Sequence, residues 1–173
     1  MSARTSRIVY RRFVEFEERA AGLYVRLASR FSPQNHELSA LWLEMAMEEK
    51  QHAGLLQFCS TEDLFTPDLP KETEIRKFSE LFRNLEKRAA DPALDVNGAF
   101  ALALELEGSE VNAIYSHLTT PLHRSLYLLR RKIAASPADH IDRLLIAGKK
   151  FGVASRTLTN LGRLKESCPK ACF

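Results

Sequence analysis

Residues 38–56, LSALWLEMAMEEKQHAGLL, decide how the rest of the chain is read. Leu38, Trp42, Met45 and Leu56 recur at intervals of three and four and mark one face of a helix. Glu49 and His52 occupy consecutive positions of that same apolar stripe. A carboxylate without a partner inside a protein costs several kcal/mol, roughly 2–7 even for uncharged polar groups. The pair therefore calls for something cationic on the inner side of this helix.

Two further helices carry the same interruption. Upstream, Phe13, Ala20, Tyr24, Leu27 and Phe31 form a stripe that contains Glu17. Glu18 lies on a neighbouring apolar stripe with Val14, Ala21 and Val25 and stays an alternative should the register shift by one. Glu17 is preferred because its stripe holds the large aromatic side chains that fill cores. Downstream, Phe100, Ala103 and Ile114 enclose Glu107, with Glu110 or Val111 next on the stripe. A metal ion removes the difficulty. Glu49-x-x-His52 sets a carboxylate and an imidazole one turn apart, and Glu17 and Glu107 add oxygen donors from adjacent helices. Mixed carboxylate and imidazole donors suit iron, with manganese and zinc as further choices. Bundles that hold two metals between glutamates and Glu-x-x-His pairs share this layout.

Proline punctuates the remainder. Ser32-Pro33, Asp91-Pro92, Thr120-Pro121 and Ser136-Pro137 each pair a helix-capping residue with a first-turn proline. The spacing predicts helices over about 6–30, 33–58, 71–89 and 92–118, with helical sequence again from about 121 to 163. Long helices and short connections predict an all-α, antiparallel four-helix bundle, with an extra helix (71–89) in the connection between its second and third helices. The chain of 173 residues is expected to form one domain over 1–165, followed by a tail, 166–173. Glu17 precedes the end of its helix by about as many residues as Glu49 follows the start of the next, so antiparallel packing brings them to one height.

These motifs resemble the rubrerythrin branch of the ferritin-like family. Its first helix has glutamate, then alanine three on and tyrosine seven on, matched by Glu17, Ala20 and Tyr24. That match favours Glu17 over Glu18. Its second helix has Glu-x-x-His-Ala, matched by Glu49, His52 and Ala53. Its third has Glu-x-x-Glu with a tyrosine five beyond, matched by Glu107, Glu110 and Tyr115. The resemblance implies a ferritin-like bundle binding one or two irons, with oxidation of ferrous iron or reduction of O₂ or peroxide, and a homodimer. It makes Glu110 an additional or switching ligand. The family's fourth helix carries a second Glu-x-x-His. Here His140 stands at the histidine, while Pro137 stands where the glutamate belongs. Either a new helix starts at Ser136-Pro137, or one long helix from about 122 bends at Pro137.

Other features narrow the field. Residues 1–120 hold 14 Lys and Arg against 19 Asp and Glu, a net of −5, and residues 121–173 hold 11 against 3, a net of +8. The basic part is expected to be a solvated face, or a surface for an anionic partner such as nucleic acid. Two alternative functions follow from it: a metal-free helical interaction module, or an iron-dependent hydroxylase of a large anionic substrate. Three cysteines fit a reducing cytoplasm, and no apolar run reaches the ~18 residues of a membrane helix. No long apolar stretch follows the basic first residues, so a secretory signal is not expected. Cys168 and Cys172 read as thiols on a frayed terminus, and Cys59 as a small apolar residue at a helix end. Tyr24 and Tyr115 are expected to reach polar partners near the site, and His36, His117 and His123 to lie at the surface. Glu48 and Glu105 are reserve ligands.

Overall fold

The computed structural model describes residues 3–65, 69–110 and 127–168, with the backbone alone for 3, 110 and 127–137. The described residues form six helices and no strand: α1 (Ala3–Phe31), α2 (His36–Thr61), α3 (Glu72–Ala89), α4 (Val96–Glu110), α5 (Tyr127–Lys150) and α6 (Ser155–Ser167). None is long and apolar enough to cross a membrane. Thr120-Pro121, Tyr115, His117, His123, Cys172 and the side chain of Glu110 lie outside the described residues.

α1 and α2 run antiparallel. Ser39 Oγ donates to Ala28 O near the connecting turn, His52 Nδ1 lies 3.8 Å from Glu17 midway, and Arg7 grips Asp63 at the far end with a fork of 2.7 and 2.8 Å. The helix boundaries differ from the proline pattern for local reasons. Ser32-Pro33 lies in the turn, and the cap is Asn35, whose side chain accepts from Leu38 N. Likewise Asp91-Pro92 makes a turn in which Asp91 accepts from Ala93 N, while Asp95 takes the Gly98 N–H at 2.7 Å at the true start of α4. At the other end of α2, Asp63 adopts a left-handed φ of 56° and Leu64 N–H returns to Cys59 O, a termination that usually favours glycine.

α5 passes without interruption through Ser136-Pro137, so no fresh helix begins there. The break falls later. Gly152 has φ 68°, and Val153 N–H reaches back to Gly148 O at 2.9 Å, closing α5 before α6. Within 127–163, the described part of the helical run expected over 121–163, there are therefore two helices. A Cβ on Gly148 would come 2.7 Å from Leu158 and 3.5 Å from Phe100, so this glycine allows α6 and α4 to approach α5 closely.

The core follows the predicted stripes. Phe13, Ala20, Tyr24, Leu27 and Phe31 of α1 are buried, as are Leu38, Trp42, Met45 and Leu56 of α2. α3 lies against α1, where Phe16 stacks on Phe82 at 5.6 Å and meets Phe78 edge-on at 4.7 Å. Burial of each such side chain stabilises by roughly 1.5–3 kcal/mol. Arg19 completes this contact, bidentate to Glu86 at 2.7 and 2.8 Å, with its guanidinium 4.8 Å from the Phe82 ring centre. Trp42 links α1 and α4, parallel to Tyr24 at 5.9 Å and edge-on to Phe100 at 5.1 Å. On the outer side of α1 and α2, Ala21, Val25, Leu43 and Met47 line an open apolar groove of about 510 Å³.

Candidate metal centre

Four helices place polar side chains in this core. α1 contributes Glu17, α2 contributes Glu49 and His52, α4 contributes Glu107, and α5 contributes His140. Glu17 and Glu49 are fully buried, and Glu107 and His140 are 1% exposed. Glu18, one position round α1, is exposed and faces Lys50 at 3.5 Å, which resolves the register in favour of Glu17. The equal-height reasoning for Glu17 and Glu49 also holds geometrically. Both join His52 in a group whose donor atoms all lie within 4.8 Å of one another.

A second group of the same compactness contains Glu49, Glu107 and His140. Glu49 belongs to both. His52 Nδ1 is 2.9 Å from Glu49 Oε2. His140 Nδ1 is 3.3 Å from Glu49 Oε1 and 3.2 Å from Glu107 Oε2. The two imidazoles lie 5.5 Å apart between ring centres, each turning Nδ1 toward carboxylates. The Tyr24 hydroxyl donates to Glu107 Oε1 at 2.6 Å, as expected of a tyrosine beside the site. Because α5 continues through Pro137, His140 stands opposite Glu107 inside the protein. Glu110 is the last described residue of α4, and its side chain is outside the described residues.

The electrostatics are dominated by His140 and its neighbours. Its Nε2 donates to Glu48 Oε2 at 2.6 Å, and the Arg143 guanidinium donates to the same oxygen. Burial disfavours the imidazolium, but Glu107 and Glu48 outweigh it and raise the His140 pKa to about 9. The hydrogen bond from His140, opposed by partial burial and aided by Arg143, lowers Glu48 to about 2. Glu105 is 2.5 Å from Arg88, on the outer side. The reserve ligands thus separate: Glu18 and Glu105 form outer ion pairs, while Glu48 touches the site.

Each group offers two carboxylates and one imidazole. That donor set fits iron or manganese, and zinc also, and three donors leave coordination positions open. Glu48 and Arg143 were not singled out together from sequence, although His140-x-x-Arg143 puts an imidazole and a guanidinium on one face of α5. Cys168 is buried in the core instead of lying on a frayed tail, since α6 extends to Ser167. Burial, with Glu107 and Asp142 nearby, pushes its thiol pKa up. Cys59 is buried at the end of α2, and His36 is exposed in its first turn, both as expected. The chain matches no family model, no curated protein and no solved structure.

Proposed function

We propose that the chain is a ferritin-like helical bundle that binds iron, as one or two ions, and uses it to oxidise ferrous iron or to reduce O₂ or peroxide. The observation that carries the reading is the pair of donor groups, Glu17–Glu49–His52 and Glu49–Glu107–His140, which meet at Glu49 inside the protein. Manganese or zinc suits the same donors. Five buried or nearly buried ionisable groups on four helices are costly to hold together without a cation between them.

Bound iron supplies one-electron exchange with oxygen species at the positions the protein leaves open. The residues do the rest. Glu49 would be shared between both groups, and Glu17 and Glu107 would balance charge from opposite sides. His52 and His140 would each offer a neutral Nδ1, which requires His140 to give up its Nδ1 proton on loading. The Tyr24 hydroxyl fixes the Glu107 carboxylate, and the surrounding apolar side chains limit access of bulk water. His52, 12% exposed at its side chain, is the wettest of the donors and marks the side of entry.

The basic C-terminal part supports the two anionic-partner readings less than its charge suggests. Lys150 pairs with Glu37 at 2.8 Å and Arg143 with Glu48, carboxylates from outside the basic segment. Homodimerisation belongs to the proposal, and the exposed Val25, Leu43 and Met47 support it. Anaerobic ferrous loading followed by air or peroxide, monitored by absorbance, tests the redox reading. Ferric formation well above the buffer background is expected, and oxidation no faster than background would refute it.

A further inference from the structure

Position 137, one turn before His140 on α5, is a proline and offers no carboxylate to the second donor group. A histidine alone on that helix is a poor anchor, because its ring can rotate and either nitrogen can carry the proton. The surroundings of His140 address both freedoms. Its Nδ1 faces Glu107 at 3.2 Å and Glu49 at 3.3 Å. Its Nε2 donates to Glu48 Oε2 at 2.6 Å on the opposite side of the ring. Glu48 is the neighbour of Glu49 on α2, so about 100° of helical rotation separates their side chains. Glu49 points to the donor groups, while Glu48 reaches toward α5. Arg143, one turn beyond His140, donates to the same Glu48 oxygen and holds it in place.

We infer that Glu48 is the positioning residue of the second donor group, fixing His140 in the ring orientation and tautomer that present Nδ1 to a metal, with Arg143 as its clamp. The inference rests on the proposed metal-binding reading. A carboxylate on α2 thereby fixes the imidazole from the side away from the donor group. The charged acceptor also makes Nδ1 a stronger donor once its proton has left. Glu48 belongs to neither donor group and is hydrogen-bonded to His140 of the second, so its effect is expected on that group.

The test titrates metal-free protein anaerobically with ferrous iron, and separately with cobalt as a spectroscopic probe, in wild type, Glu48→Gln, Glu48→Asp and Arg143→Lys. Loss of an outer-shell carboxylate commonly lowers metal affinity by roughly 10–100-fold. Glu48→Gln is expected to weaken the second equivalent by that factor, leave the first unchanged, and alter the cobalt spectrum of the second site alone. Glu48→Asp is expected to recover part of the affinity. Imidazole nitrogen shifts of the metal-free protein give an independent readout: Nε2 of His140 should move in Glu48→Gln while both His52 nitrogens stay. A wild type that binds two equivalents, beside a Glu48→Gln variant that binds both equally well, would overturn this inference and leave the metal-binding proposal standing. A wild type that binds no metal would overturn both. A variant that only melts at lower temperature, with unchanged second-site affinity, would assign Glu48 a purely structural role.

Discussion

Replacing Glu49 with glutamine should move stability in opposite directions with and without metal. The side chain is fully buried, and its donor atoms lie within 4.8 Å of those of Glu17 in one group and Glu107 in the other. At an effective dielectric of ~20, two like unit charges at that separation repel by roughly 3.5 kcal/mol. Protonated His140 offsets part of this in the metal-free protein, and Gln Oε1 can still accept from His52 Nδ1. A net gain of about 1–3 kcal/mol is therefore expected for metal-free Glu49→Gln, within the range seen when buried charges are removed. For a chain of this size each kcal/mol shifts the melting temperature by roughly 2–4 °C.

With metal the order should invert. Free metal at 100 times its dissociation constant stabilises by about 2.7 kcal/mol per site, or roughly 5–11 °C. Wild type should gain this at both groups and Glu49→Gln at neither. Glu17→Gln and Glu107→Gln should each lose about half of the gain, and Glu18→Gln none, because Glu18 faces Lys50 outside. Calorimetric melting of each variant in chelator and in anaerobic ferrous iron measures all of these. A metal-dependent rise in Glu49→Gln equal to that of wild type would refute the reasoning. So would a metal-free variant melting several degrees below wild type.

Further outcomes follow from other contacts. His140 has a folded pKa raised to about 9 from an ordinary value near 6.5. Its contribution to the stability of the metal-free protein is thus complete below about pH 6.5 and lost as pH rises through about 9. Melting curves across that window should fall with pH in wild type and fall less in His140→Asn; an equal fall in both would contradict the assignment. At pH 7, loading the second group should release a proton, visible as buffer-dependent heat in titration calorimetry, and buffer-independent heat would argue against it. Arg19→Ala should destabilise by about 1 kcal/mol through loss of the Glu86 fork and the Phe82 contact while leaving metal affinity unchanged. Met47→Glu should weaken self-association in sedimentation without altering metal content; a monomeric wild type would remove the basis of that expectation.

The helix faces were readable because the 3.6-residue period is carried by bulky side chains. Phe13, Tyr24, Trp42, Met45 and Phe100 all lie where the stripes put them, and Glu17, Glu49 and Glu107 lie among them. The boundaries were less readable. Ser32-Pro33 and Asp91-Pro92 satisfy a helix-start pattern, yet Asn35 and Asp95 make the capping bonds, because a short turn uses the same residue types. Pro137 was ambiguous for an energetic reason. A proline within a helix costs about 3 kcal/mol, which tertiary packing can offset but sequence cannot weigh. The break at Gly152 had a local signal in Lys149-Lys150-Phe151-Gly152, basic residues closing a helix just before a glycine. For Glu48 and Arg143 the only signal was the His140-x-x-Arg143 spacing on α5, and their pairing depends on which face of α2 meets α5.

The central claim is that this core is built around a metal. Elemental analysis of the protein purified without chelator from iron-replete cells, beside Glu49→Ala and His52→Ala, tests it most directly. Wild type should carry about one to two equivalents of iron per chain, and the two variants should carry far less. A folded wild type that holds no metal under those conditions, and takes up none on anaerobic ferrous loading, would contradict the account.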